Sequence, residues 1–110
     1  MNQLTIDFET ARQRADTGIR SSLEHAERVI PSWADTAFAL LTRFAATSAD
    51  PFTIETFRWW AVMRGLPYPP DNRAFGGVTQ RALRAGVMVR IGYAPTASSN
   101  GSPKALYART

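Results

Sequence analysis

The stretch Asp71-Asn72-Arg73-Ala74-Phe75-Gly76-Gly77-Val78-Thr79-Gln80-Arg81-Ala82-Leu83-Arg84-Ala85-Gly86-Val87-Met88-Val89-Arg90-Ile91-Gly92-Tyr93 changes its periodicity part-way along. Up to Ala85 the apolar residues Phe75, Val78, Ala82 and Ala85 recur at helical spacing, with Thr79 beside them. Asp71 is a suitable residue to cap such a helix, running from Asn72 to Ala85. Gly86 then stands where a left-handed residue closes a helix. Beyond it Val87, Val89 and Ile91 alternate with Met88 and Arg90, which predicts a strand ending near Tyr93. Ala94 to Pro103 is rich in Ser, Asn, Gly and Pro and reads as a loop, and Lys104 to Arg109 as a returning strand with Leu106 inward. A helix therefore feeds directly into a hairpin.

Upstream of this stretch, Gly65-Leu66-Pro67-Tyr68-Pro69-Pro70 forms a stiff turn. Before it, Ile54 to Arg64 reads as a helix with Thr53 as its N-cap and Pro51-Phe52-Thr53 as a very short extended segment. That helix carries Ile54, Phe57, Trp59, Trp60, Ala61, Val62 and Met63, an apolar arc wide enough to predict burial on two sides. One of Trp59 and Trp60 is expected in the core and the other against the N-terminal helix. Adjacent helical residues diverge by about 100°, so the pair makes a poor base-stacking platform. A further helix runs from Ser32 to Ala46, with Ser32 and Asp35 as an imperfect capping box. Thr47 to Pro51 is a loop. The first helix, Asp7 to Arg28, shows a thin stripe of Phe8, Ala11, Ala15, Ile19, Leu23, Ala26 and Ile30, and Pro31 stops it. Such a helix is marginal alone and docks on its own domain or on a second copy.

The chain has 110 residues and no cysteine, with 45% hydrophobic and 20% charged residues, which suits one soluble domain without disulfides or thiolate metal sites. No apolar run approaches the roughly 20 residues that span a bilayer. The first residues lack a signal-peptide pattern, so a cytoplasmic location is expected. The net charge of +4 is unevenly spread. From residue 71 onward Arg73, Arg81, Arg84, Arg90, Lys104 and Arg109 face Asp71 alone, so the whole basic excess sits there. A one-sided excess of this kind suits a polyanion.

The order is helix, short extended segment, helix, turn, helix, strand, loop, strand. This is the plan of a mainly α winged helix-turn-helix with a small β-hairpin and an extra N-terminal helix. Residues 1–31 are then a helical extension and 32–110 the winged-helix domain. In that plan the third helix enters the major groove of double-stranded DNA and the hairpin lies against the backbone. The candidate DNA-binding residues are Arg73, Gln80, Arg81 and Arg84 on the helix, and Arg90, Ser99, Asn100 and Lys104 on the wing. Arginine grips guanine bidentately and glutamine grips adenine, while hydroxyls, amides and lysine suit phosphate. Gly76 and Gly77 each weaken a helix by about 1 kcal/mol relative to alanine. They admit either close approach of a phosphate or groove wall, or close packing against the preceding helix.

Several short pieces carry a resemblance: Pro31-Ser32-Trp33, Phe52-Thr53-Ile54-Glu55, Gly65-Leu66-Pro67, Arg73-Ala74-Phe75-Gly76-Gly77-Val78, Arg84-Ala85-Gly86 and Gly92-Tyr93. Together with Asp16 to Arg28 they resemble the small uncharacterised winged-helix proteins of bacteriophages and prophages. The resemblance implies DNA binding in replication or regulation. At the wing tip this chain has Asn100-Gly101-Ser102 in place of a basic or histidine-bearing tip.

Catalytic chemistry finds no support in the residues. His25 is the single histidine, flanked by Glu24 and Glu27, and no second histidine or cysteine completes a metal site or a base–nucleophile pair. The carboxylates are scattered, and no glycine-rich phosphate loop is present. The expectation is a non-enzyme without cofactor or small-molecule substrate, dimeric if the N-terminal helix pairs with a copy. The alternative is a protein-interaction module on the same scaffold, docking on a host or replication protein.

Overall fold

The computed structural model describes residues 3–94 and 104–110, with side chains from Asp16 onward. The order is α1 (Gln3–Val29), α2 (Trp33–Thr47), α3 (Ile54–Met63), α4 (Ala74–Ala85), β1 (Met88–Ala94) and β2 (Lys104–Arg109). The protein is thus mainly helical with one antiparallel two-stranded hairpin. No helix among the described residues is long and apolar enough to cross a membrane.

The helices pack because each carries an apolar face at helical spacing. Trp33, Ala37, Leu41 and Ala45 of α2, Phe57 and Ala61 of α3, and Phe75, Val78 and Ala82 of α4 are all buried. Their aromatic rings meet edge to face, Trp33 against Phe75 with centroids 5.1 Å apart and Phe44 against Phe52 at 4.9 Å. The indole N–H of Trp33 donates to the carbonyl of Pro67 at 2.8 Å, which ties α2 to the stiff turn. Thr53 caps α3 as the sequence predicts, its hydroxyl accepting from the Thr56 amide at 3.3 Å. Gly86 adopts φ 74° and ends α4, with the Val87 amide reaching the carbonyl of Ala82 at 3.2 Å.

The short extended segment is present as a single bridge. Phe52 and Tyr107 exchange two backbone hydrogen bonds of 2.9 and 2.8 Å. This joins the chain just before α3 to β2, on the side of β2 away from β1.

Several local expectations are corrected. Ser32 does not cap α2, because it sits at φ 66° with its side chain unbonded to the helix. Glu27 of α1 takes that role, its carboxylate accepting from the amides of Ser32 at 3.1 Å and Ala34 at 2.7 Å. A negative side chain also suits the positive end of the helix dipole. Asp71 caps a preliminary turn rather than α4 itself. Its Oδ1 accepts from the Arg73 amide at 2.9 Å, and α4 begins at Ala74.

The hairpin buries Tyr107 rather than Leu106, the residue expected inward. Met88 and Tyr107 are buried, Leu106 is half-buried, and Val89 and Ile91 are exposed. Alternation says only that neighbours face opposite sides. The turn at Gly86 and Val87 decides which set points inward. Arg90 pairs with Tyr107 and Gly92 with Leu106, so Ile91 is an unpaired bulge residue and shifts the phase again.

The arc of α3 is also buried on one side only. Trp60 is half-buried, whereas Trp59 is 72% and Met63 68% exposed. Trp59 does not pack on the N-terminal helix, which lies instead against α4 and α2.

Candidate nucleic-acid interface

On α4, Phe75, Val78, Thr79 and Ala82 face the core, and Arg73, Gly77, Gln80 and Arg84 fall on the opposite side. That outer side is not bare. α1 lies across it, seating Ile19 and Leu23 on the two glycines. A Cβ on Gly77 would stand 2.8 Å from Leu23 Cδ2, and one on Gly76 would stand 3.2 Å from Ile19 Cδ1. The glycines therefore serve close helix packing, and the partner is the N-terminal helix. Ala26 and Ser22 are buried in the same contact.

The eight sequence-predicted contacts separate into distinct settings. Arg73 folds back on Asp71, with Nε at 3.0 Å and Nη2 at 2.7 Å from Oδ2. This side-chain hydrogen bonding, with the Arg73 amide adding to it, lowers the Asp71 carboxyl from 3.8 to about 2. Arg81 turns towards α2, where Nη1 lies 2.8 Å from Asp35 Oδ1 and the guanidinium stacks 4.1 Å from the centre of the Phe38 ring. Lys104 pairs with Glu55 at the base of the hairpin. Arg90 lies 6.0 Å from the Tyr93 ring centre. Gln80 and Arg84 line a cleft between α1 and α4. Ser99 and Asn100 lie outside the described residues.

Three of these cations thus already meet a carboxylate, and they do not share one face. The pairs of Arg73 and Arg81 are exposed and exchange readily for other anions, since such pairs contribute only about 0–1 kcal/mol, whereas the Lys104–Glu55 pair is half-buried. Arg84 and Arg90, by contrast, meet no carboxylate among the described residues.

Two features were not read from the sequence. Arg20 of α1 joins Gln80 and Arg84 in the α1–α4 cleft. An open apolar groove also runs along α3, lined by Phe44, Trp59, Trp60 and Met63, with the Arg64 guanidinium 4.1 Å from the Trp60 ring centre. The wide apolar arc of α3 was the signal for the groove, but it had been interpreted as burial. Nothing in α1 alone marks Arg20, because its meaning depends on which helix α1 covers. His25 is exposed, and no group of three or more His, Cys, Asp or Glu that could hold a metal occurs among the described residues.

No protein-family model, curated protein or solved structure matches this chain.

Proposed function

We propose that this chain is a winged-helix protein that binds double-stranded DNA, in a phage- or prophage-related role in replication or regulation as its short motifs imply. The observation that carries the fold reading is the Phe52–Tyr107 bridge. It stands where the plan needs a short strand beside β2, so the order α2, bridge, α3, α4, β1 and β2 supports that reading. The DNA reading rests on charge, with six cations against one acid from Asp71 onward. Arg84 and Arg90 are the residues best suited to phosphate, because they meet no carboxylate among the described residues and neutralise the backbone without needing a particular base. Entry of α4 into a major groove requires α1 to leave Gly76 and Gly77, so contacts made with α1 in place fall on the backbone. No catalytic step forms part of this reading.

Fluorescence anisotropy of the full chain with a random duplex across a salt series tests it. Binding at micromolar or tighter levels in low salt, weakening steeply as salt rises, is expected. Absence of binding in low salt refutes DNA as the ligand.

A second reading, a protein-interaction module, is favoured by the α3 groove, where Trp59 and Met63 stand open beside Phe44 and Trp60. Exposed apolar clusters of this kind mark contact surfaces. That reading expects a partner recovered by pull-down and lost on Trp59→Ser.

A further inference from the structure

The way α1 is held on α4 determines what a polyanion would meet on this side of the molecule. Leu23 and Ile19 rest on the glycine pair, Ala26 and Ser22 are buried, and Glu27 is engaged by the first amides of α2. These contacts fix the C-terminal half of α1 at several independent points. A single helix with its side chains is about 10–12 Å across, close to the roughly 12 Å width of a major groove. Two helices side by side do not fit. The α1–α4 pair therefore presents a composite face to the outside of a duplex.

On that face α1 contributes Arg20 and α4 contributes Gln80 and Arg84 to one cleft of about 530 Å³. Asp16 is the acid that also lines it. Arg20 and Arg84 come within 4 Å of no carboxylate among the described residues, in contrast to Arg73, Arg81 and Lys104. Both guanidiniums are exposed, so neither pays for leaving water. Guanidinium donors match phosphate oxygens in pairs, and the Gln80 amide adds a neutral donor between them.

We propose that the cleft formed by Arg20, Gln80 and Arg84 is a phosphodiester-binding site, so that α1 is part of the nucleic-acid interface rather than a dimerisation helix. The proposal rests on the DNA reading above and adds a residue to it, Arg20, from outside the winged-helix elements. It makes the contact blind to base sequence. Asp16 faces the same cleft and limits its affinity for a lone anion, whereas a duplex presents a row of phosphates and so a higher local density of anions.

The test uses the full-length protein and a random duplex in anisotropy titrations from low to high salt. Arg20→Ala is expected to bind about tenfold more weakly in low salt, with the slope of log affinity against log salt reduced by about 1. Arg20→Lys retains the slope and loses part of the affinity. Arg28→Ala, which removes a charge from α1 outside the cleft, is expected to change affinity far less than Arg20→Ala. Circular dichroism and the thermal midpoint should be unchanged in all three, because these side chains are exposed.

If wild type binds and Arg20→Ala binds equally well, the cleft assignment is overturned while DNA binding stands. Equal losses in Arg20→Ala and Arg28→Ala overturn it as well, since they indicate overall charge rather than a site. Tighter binding by Arg20→Ala shows α1 to be an obstacle instead. Inorganic phosphate that competes beyond the effect of matched ionic strength assigns the cleft to a free anion and overturns the backbone assignment. A wild type that binds no duplex in low salt removes the DNA reading itself.

Discussion

Leu23 of α1 rests directly on the backbone of α4 at Gly77, where a Cβ would meet its Cδ2 at 2.8 Å. Contact this close explains two adjacent glycines in the interior of a helix, a placement that costs about 1 kcal/mol per residue in propensity. Replacing Gly77 by Leu overfills the contact and should destabilise the protein by about 1–3 kcal/mol. Urea unfolding measures it, and adding Leu23→Ala to the same chain should recover part of the loss. Strict additivity of the two substitutions would argue that α1 does not pack there.

Glu27 supplies from another helix the cap that Ser32 does not. Glu27→Ala should cost about 1 kcal/mol, the usual value of an N-cap, whereas Ser32→Ala should change stability by only a few tenths. Equal costs at the two positions would reverse the assignment.

The Asp71–Arg73 pair makes a pH-dependent contribution. The Asp71 carboxyl titrates at about 2 in the folded protein against an ordinary 3.8. Its contribution is fully present above 3.8 and disappears as pH falls through about 2. The stability difference between wild type and Asp71→Asn, followed by urea unfolding, should therefore be flat in the neutral range and shrink over that acidic window. A difference unchanged down to pH 2 would show that the charge is not involved.

The three tryptophans should respond very differently to substitution. Trp33 is 1% exposed, and Trp33→Ala should cost about 3–5 kcal/mol. Trp59 is 72% exposed, and its loss should stay within about 0.5 kcal/mol. Acrylamide quenching of the fluorescence reports the same contrast, since Trp59→Phe should remove most of the readily quenched emission.

Arg81 and Arg84 are separated by their partners although they share a helix. Arg84→Ala should weaken duplex binding several-fold and lower the salt slope by about 1. Arg81→Ala should lower the affinity less, because its guanidinium is engaged by Asp35 and Phe38, and should cost more stability than Arg84→Ala. Thermal unfolding and anisotropy together distinguish the two. A larger binding defect in Arg81→Ala would move the interface towards α2.

The six elements were legible in the sequence because their signals are local. Thr53 and Gly86 mark ends through their own backbone chemistry, and Phe52 stands between a loop and a cap where only a short extended segment fits. What was not legible depended on neighbours distant in the chain. Gly76 and Gly77 announce a close approach without naming what approaches. Ser32 has the right side chain for a cap, but a left-handed backbone after Pro31 takes it out of position and leaves the amides to Glu27. Val89 and Met88 sit in a pattern that reads the same with either set inward, and the bulge at Ile91 has no sequence mark beyond Gly92. Among the candidate contacts, Gln80, Arg81 and Arg84 lie on α4 and Arg90 and Lys104 on the hairpin strands, whereas Arg73 precedes α4. Their partners, Asp71, Asp35, Glu55 and α1, came from the fold.

The Phe52–Tyr107 bridge has a kinetic meaning. Its two residues are separated by about half the chain, as are Leu23 and Gly77 in the contact of α1 with α4. Closing so long a segment costs entropy that is recovered only when the final contact forms. The bridge that seats the hairpin and the contact that seats α1 therefore carry the same closure cost and form late together. An opening at the bridge brings the buried Phe52 and Tyr107 into water, so the part of the molecule offered to a ligand is anchored by the same core that holds the helices.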